Sequence, residues 1–242
     1  IMLAAEAALC SGAGKVSVAT SAEHVAPLLA RCPEVMVRAV ADAEALAPLL
    51  ATADALVLGP GLGRCPWAEQ MISACLDAAL PRVLDADALN LLACQSAMPE
   101  LGADTVITPH PAEAARLLRC STAEVQDDRL AALQQLIEPL GCHAVLKGVG
   151  SLVGSPARFE MLPGVCAAGN PGMAVGGMGD VLSGLLGALL AQRVPAGQAA
   201  RYAVLVHALA GDLLAGELGE VGMRAGEMMP AMRRVLNRRG VE

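Results

Sequence analysis

Aromatic residues are nearly missing from this chain of 242 residues, which holds a single Trp, a single Phe and a single Tyr: Trp67, Phe159 and Tyr202. A core without rings has to be built from small aliphatic side chains, and apolar residues, chiefly Ala, Leu and Val, make up 55% of the sequence. Such side chains suit helices laid on a parallel sheet. Lys and Arg form no cluster and the formal charge is −7, which argues against a nucleic-acid surface. A membrane span is missing too. No residue from Met161 to Gly179 is charged, but two prolines and six glycines interrupt that stretch, and Val181–Gln192 is too short. The reading is a soluble protein.

The eight cysteines (10, 32, 65, 75, 94, 120, 142 and 166) include no C-x-x-C pair and have no His at ligand spacing. In a chain of this size they read as reduced core residues, and with no signal peptide present they point to the cytoplasm. Nor is there a Gly/Ser/Pro-rich linker or an internal repeat, so one domain is expected.

What the sequence does have is alternation. Expected strands are Val16–Ala19, Glu34–Val37, Ala55–Gly59, Arg82–Asp85, Thr105–Thr108 and Ala144–Lys147, then a hairpin of Ser151–Gly154 with Arg158–Leu162. Expected helices are Ile1–Cys10, Ala22–Leu29, Ala43–Leu50, Pro66–Leu80, Ala88–Ala93, Pro111–Leu118, Thr122–Leu140, Asp180–Gln192 and Gly197–Leu218. Strand–helix alternation implies an α/β fold with a doubly wound, mostly parallel sheet. Ligands bind such sheets beyond the carboxyl ends of the strands. The residues there are GPGLG (59–63), DADALN (85–90), TPHPAE (108–113) and KGVGS (147–151). They read as one site.

The segment GNPGMAVGGMGDVLSG (169–184) carries six glycines and one charge, Asp180, ahead of an apolar helix. A cap alone needs no run of Gly176, Gly177 and Gly179. Glycines there turn successive N–H groups outward at the positive end of a helix dipole, an anion hole of Gly176, Gly177, Met178 and Gly179. Asp180 beside a bound phosphate could then take a proton from an attacking hydroxyl. SGAGKVS (11–17) is no P-loop, because Val16 stands where the metal-binding Ser or Thr belongs. His110 is fixed between two prolines with Glu113 one turn on, and Glu113 is a candidate for Mg²⁺ or for a helix N-terminus. Asp85 is a candidate for a metal or phosphate network, whereas Asp87 is expected to cap the helix at Ala88. Lys147 could balance nucleotide phosphate. His24, His143 and His207 have no partner pattern and read as structural.

These pieces, in this order, resemble the ribokinase-like superfamily and within it the ADP/ATP-dependent NAD(P)H-hydrate dehydratases. The matching stretches run nearly end to end: SGAGKV, GPGLG, LDADALNLLA, TPHPAEAARLL, LKGVGS, GNPGMAVGGMGDVLSG and VHALAGDLLA. The resemblance implies a three-layer α/β/α lyase that repairs NADHX and NADPHX. ADP or ATP phosphorylates the added hydroxyl with Mg²⁺ present, and phosphate then leaves. By position, Lys147, Gly148, Val149, Gly150, Ser151 and Gly179 match nucleotide contacts. Ile1, Gly61, His110 and Asp180 match contacts to the hydrated dinucleotide, with Asp180 as the base. The chain departs from the pattern at Ala112 and Ala208, where the family usually has Gly, and at Ser151, where it has Thr. A first strand and glycine turn that normally precede the helix at Ile1 are not in this chain, and in many bacteria the domain follows an N-terminal epimerase domain. A homo-oligomer, commonly a tetramer, is also implied. Two other readings stay open: a small-molecule (vitamin-precursor) kinase of the same fold, and a nucleotide-binding module without catalysis.

Overall fold

The computed structural model describes residues 1–237. The first part runs α1 (Met2–Cys10), β1 (Ser17–Thr20), α2 (Ala22–Arg31), β2 (Met36–Ala39), α3 (Ala43–Leu50), β3 (Leu56–Leu58), α4 (Pro66–Asp77), β4 (Arg82–Leu84) and α5 (Ala86–Ala93). There follow β5 (Thr105–Ile107), α6 (Pro111–Leu118), α7 (Thr122–Asp127), α8 (Arg129–Leu140), β6 (His143–Leu146), β7 (Ser151–Gly154) and β8 (Gly164–Cys166). The last helices are α9 (Met178–Ala191), α10 (Ala196–Leu218) and α11 (Met228–Leu236).

Strands β1 and β2 form a small parallel pair, and the main sheet has the order β3-β4-β5-β6-β7-β8. Pairings from β3 to β6 are parallel; β7 and β8 add on antiparallel. Successive side chains of a strand face opposite ways, and the two cores divide on that rule. Leu84, Ile107, Ala144, Leu146 and Leu152 pack with α4, α5, α6 and α8. Val83, Val106, Val145 and Val153 pack on the other face with α9, α10 and α11. The mostly parallel sheet is the one the alternation predicts, and helices on both its faces make the three α/β/α layers that the resemblance implies. Among the described residues no helix is long and apolar enough to cross a membrane.

Four local expectations need correction. Arg158–Leu162 is no strand: Ala157–Phe159 is a 3₁₀ turn, and the partner of β7 is Gly164–Cys166. The residues of the stretch serve elsewhere, Phe159 lying 4.9 Å from the His143 ring while Arg158 donates to the Gly141 carbonyl. The long helix expected over Thr122–Leu140 breaks at Asp128, whose extended backbone and carboxylate cap the next helix at Ala131 N–H. Helix α4 stops at Asp77 because the Arg82 guanidinium takes the carbonyls of Cys75, Leu76 and Ala78. Asp87 does not cap a helix at Ala88. Helix α5 starts at Ala86, and Asp87 reaches across to accept from Gly63 N–H at 3.0 Å. Helix α11 has no counterpart among the expected elements.

One contact decides where the layers sit. Helix α9 is buried nearly all round, as an internal helix must be. Helix α1 crosses it so closely that a Cβ on Gly184 would lie 2.0 Å from the Ala4 carbonyl oxygen. Gly184→Ala therefore has to part the two helices. A loss of about 1–3 kcal/mol is expected for such overpacking, read as a lower denaturant midpoint at unchanged slope. Gly14→Ala, with nothing within 4 Å of the added methyl, should leave the midpoint in place.

Candidate active site

The site grows from the carboxyl ends of β4, β5 and β6 against the N-terminus of α9. Asp85 ends β4 and is 1% exposed. Its Oδ1 accepts from Lys147 Nζ at 2.7 Å and its Oδ2 from Ser183 Oγ at 2.7 Å. Burial works to raise the Asp85 pKa, but the Lys147 charge and the hydrogen bonds of Lys147 and Ser183 outweigh it and hold the carboxyl below the usual carboxylate range. Lys147 follows β6 and also lies 3.8 Å from Glu113. So Lys147 is neither solvated nor free; it is fixed by carboxylates under the glycine turn, where a Cβ on Gly179 would sit 3.1 Å from its Nζ.

Of the three glycines expected to turn the backbone, only Gly177 takes positive φ, while Gly179 already lies inside α9. Gly177 has φ +90° and precedes α9 with no side-chain cap, which leaves the first N–H groups of the helix without intrahelical partners. A side chain at Gly177 would strike Leu3 of α1 at 2.4 Å, whereas Gly176 faces open space. Asp180 stands in the first turn of α9. Burial raises its pKa, with Asp85 adding to the effect and the Ile1 amino group and Lys147 opposing it. A carboxylate is thus kept more basic than usual beside the uncapped N-terminus of α9. Beneath lies His207, whose Nε2 is buried without a partner and whose pKa burial pushes down to about 4; it is neutral at physiological pH.

The KGVGS turn crosses the same edge. Ser151 Oγ donates to the Gly148 carbonyl at 3.1 Å, and Arg129 Nη1 donates to the Val149 carbonyl at 2.6 Å. Gly148 and Gly150 take positive φ, and Val149 stands out at the apex, 99% exposed. On the other side Gly61 has φ +65°, and a Cβ there would lie 3.5 Å from Ile1 N. Ile1, Gly61 and Asp180 are therefore neighbours across the turn from the KGVGS loop.

His110 caps α6. Its Nδ1 accepts from the N–H groups of Ala112 and Glu113, and Glu113 accepts from His110 N–H in return. An accepting Nδ1 puts the proton of the neutral ring on Nε2, which faces the Glu113 Oε1 at 3.4 Å. Burial holds the His110 pKa below the usual value against the pull of Glu113. As for metal, Asp85 and Glu113 are occupied with Lys147, Ser183 and His110. Among the described residues no three of His, Cys, Asp and Glu converge on a possible ion position.

Sequence reasoning passes over Ser183 and Asp212. Ser183 is one turn beyond Asp180, a spacing that could have flagged it. Asp212 of α10 accepts from Gly169 N–H at 2.9 Å and Asn170 Nδ2 at 3.0 Å, holding the start of the glycine segment. The Ala208 methyl lies beside Gly169, 3.8 Å from where its Cβ would be.

Because the Asp85 pKa is lower folded than unfolded, the unfolded chain takes up its proton first as pH falls. The stability Asp85 supplies is present above roughly pH 4, the ordinary Asp value, and is lost below it. Asp85→Asn should remove about 3 kcal/mol at neutral pH, the low end for breaking a buried pair because Glu113 remains near Lys147. It should also flatten the acid limb of a stability–pH curve measured by urea denaturation.

The comparisons with known proteins fall on the same elements. The family profile described as NAD(P)H-hydrate dehydratase matches residues 1–234. The bifunctional NAD(P)H-hydrate repair enzyme of Coxiella burnetii is 47% identical over 237 residues, 98% of this chain but 47% of that protein. The chain thus spans about half the length of the bifunctional relatives it matches. The ADP-dependent (S)-NAD(P)H-hydrate dehydratase of Neisseria meningitidis is 39% identical over 98% of this chain and 80% of its own. Among solved structures, the ADP/ATP-dependent NAD(P)H-hydrate dehydratase of Bacillus subtilis, co-crystallized with ATP/Mg²⁺, superposes with a TM-score of 0.81 at 26% identity, covering 97% of this chain and 82% of that one. Fold, glycine turn and relatives agree, and the chain belongs to the NAD(P)H-hydrate dehydratase family.

Proposed function

We propose that this chain dehydrates NADHX and NADPHX back to NADH and NADPH, with ADP or ATP as phosphoryl donor. The observation that carries the reading is the placement of Asp180. Its half-buried carboxyl, made more basic by burial, stands at the mouth of an uncapped, glycine-lined helix N-terminus fixed by the Lys147–Asp85 pair. The names of the Coxiella and Neisseria relatives support it.

The chemistry follows from the positions. Asp180 takes the proton of the substrate hydroxyl, and the oxygen so exposed attacks the terminal phosphorus of the nucleotide. The bond to the leaving phosphate oxygen breaks, and AMP departs from ADP, or ADP from ATP. The N–H groups of the Gly176–Gly179 turn, with the dipole of α9, stabilise the charge on the phosphoryl oxygens in flight. The C–O bond to the new phosphate then breaks, and the ring loses a proton from the neighbouring carbon, which restores the double bond. Phosphorylation matters because hydroxide leaves poorly and phosphate leaves well. The KGVGS loop, held by Arg129 and Ser151, belongs to the nucleotide; Ile1, Gly61 and His110 belong to the hydrated ring. Mg²⁺ belongs to the same proposal as an ion carried by the nucleotide phosphates, which is its habit where proteins offer no cage.

We also propose a homo-oligomer, the tetramer being the form the resemblance implies. Its support is the row Tyr202, Leu205 and Leu209, spaced three and four apart and exposed on α10. A cytoplasmic setting is supported by eight cysteines that all stand as free thiols.

The deciding assay mixes the protein with NADHX, Mg²⁺ and ADP or ATP and follows the absorbance of the regained dihydronicotinamide. A rise with either donor is the expected result; a stable phosphoester in its place would make the protein a kinase. Asp180→Asn should abolish turnover while ADP affinity stays within about twofold, and an active Asn variant would sink Asp180 as the base. Since the base works deprotonated and its pKa in the free protein is raised, kcat/KM should fall as pH drops through a value above the ordinary Asp pKa. The same variant should be more stable than the parent at neutral pH, because it deletes a carboxylate that burial penalises.

A further inference from the structure

On the far side of the glycine turn from Lys147 lies a cavity of about 420 Å³ that the mechanism leaves unused. It is bounded by Leu3, Gly176, Gly226, Glu227 and two arginine heads, Arg31 and Arg224. In a chain of net charge −7, two guanidinium groups at one opening stand out.

Each guanidinium is paired with a carboxylate, and one of the two, Glu227, itself lines the cavity. Arg31 grips Glu6 with Nε at 2.7 Å and Nη2 at 2.9 Å. Arg224 grips Glu227 Oε1 with Nε at 3.1 Å and Nη2 at 2.8 Å. A guanidinium carries donors on all three nitrogens, so neither Nη1 is committed to these pairs. The side chains are 52% and 78% exposed. As plain surface ion pairs they would contribute little. Their setting is different: two of the residues that line the cavity, Gly176 and Gly226, are glycines. Gly176 faces open space, and a Cβ on Gly226 would come within 4.0 Å of Arg31 Nη2. Each guanidinium keeps an Nη1 edge outside its ion pair, and such an edge can take a phosphate oxygen.

The position of the cavity says which phosphate. The KGVGS loop and Lys147 flank Gly179, while the cavity opens at Gly176 and beside α1. Arg31 is close enough to influence the Ile1 amino group, and Ile1 adjoins Gly61. The cavity is therefore on the hydrated-ring side of the turn. We propose that it is a second anion subsite, in which Arg224 and Arg31 bind a phosphate of the dinucleotide remote from the reacting ring. This rests on the function proposed above, because it is that reading which puts a dinucleotide on this side.

The product NADPH serves as a probe that needs no turnover, titrated by its fluorescence against the wild-type protein and Arg224→Gln, Arg224→Lys and Arg31→Gln. Arg224→Gln should weaken NADPH about tenfold, equivalent to about 1.4 kcal/mol, with the Lys variant in between and ADP affinity within about twofold of wild type. In turnover, KM for NADPHX should rise while kcat stays within about twofold. NADPH binding unchanged in Arg224→Gln, equal loss of ADP and NADPH binding, or no NADPH binding by the wild type would each overturn the subsite. Arg31→Gln also removes a brace on α1, so the Arg224 variants are decisive. If the wild type regenerates no NADPH from NADPHX yet binds NADPH in an Arg224-dependent way, the subsite stands and the dehydratase reading falls.

Discussion

The Asp85–Lys147 pair holds this site together. A carboxylate 1% exposed is costly to bury unless charge and hydrogen bonds compensate it, and here the compensation comes from two distant parts of the chain. Lys147 arrives from the end of β6 and Ser183 from the second turn of α9. One buried acid thereby ties the sheet edge to the helix whose N-terminus forms the anion turn. The same lysine approaches Glu113, which is bonded to His110. The strand ends after β4, β5 and β6 and the start of α9 are therefore one electrostatic unit, and the rest of the site is arranged around it.

Around that unit the two sides of the turn differ in character. Toward the KGVGS loop the structure offers backbone carbonyls pinned by Arg129, an exposed apolar apex at Val149 and a lysine already paired. Toward Ile1 it offers the glycine surface of Gly61. Asp180 stands between. Burial works to raise both carboxyl pKa values, but only at Asp85 do a lysine in hydrogen-bond contact and the Ser183 hydroxyl outweigh it, so Asp85 ends lowered and Asp180 raised. Two carboxylates in one region thus differ in basicity by what they touch.

Much of this is legible in the residues. The parallel strands are visible as short aliphatic runs, and the glycine turn can be placed because a helix start with three glycines and no capping side chain has few other uses. What escapes is decided by contacts that no local pattern carries. Arg158–Leu162 has strand-like composition, yet Phe159 is taken by His143 and pairing resumes only after Pro163. Lys147 and Asp85 read separately as candidates for phosphate and metal; their mutual pairing depends on the spacing of strand ends in the sheet. The role of Asp87 is misplaced for the same reason, since Gly63 comes within its reach only once β3 and β4 are side by side. Helix α11 escapes because its charged outer face dilutes the apolar signal of Met228, Met229 and Met232, all of which are buried.

The close crossing of α1 and α9 has a consequence for how the protein comes into being. The two helices are separated by well over half the chain, and the hydrogen bond from Gln192 to the Ser11 carbonyl spans 181 positions. Asp85 and Ser183 are 98 apart. Contacts of such separation close loops whose entropy must be spent before anything is gained, and they form late. Residues 1–10 have to wait for α9 to be made before they can dock, and the anion turn has no backing from Leu3 until they do. On a growing chain, then, the α1–α9 crossing and the Asp85–Ser183 bond can form only after α9 has been made.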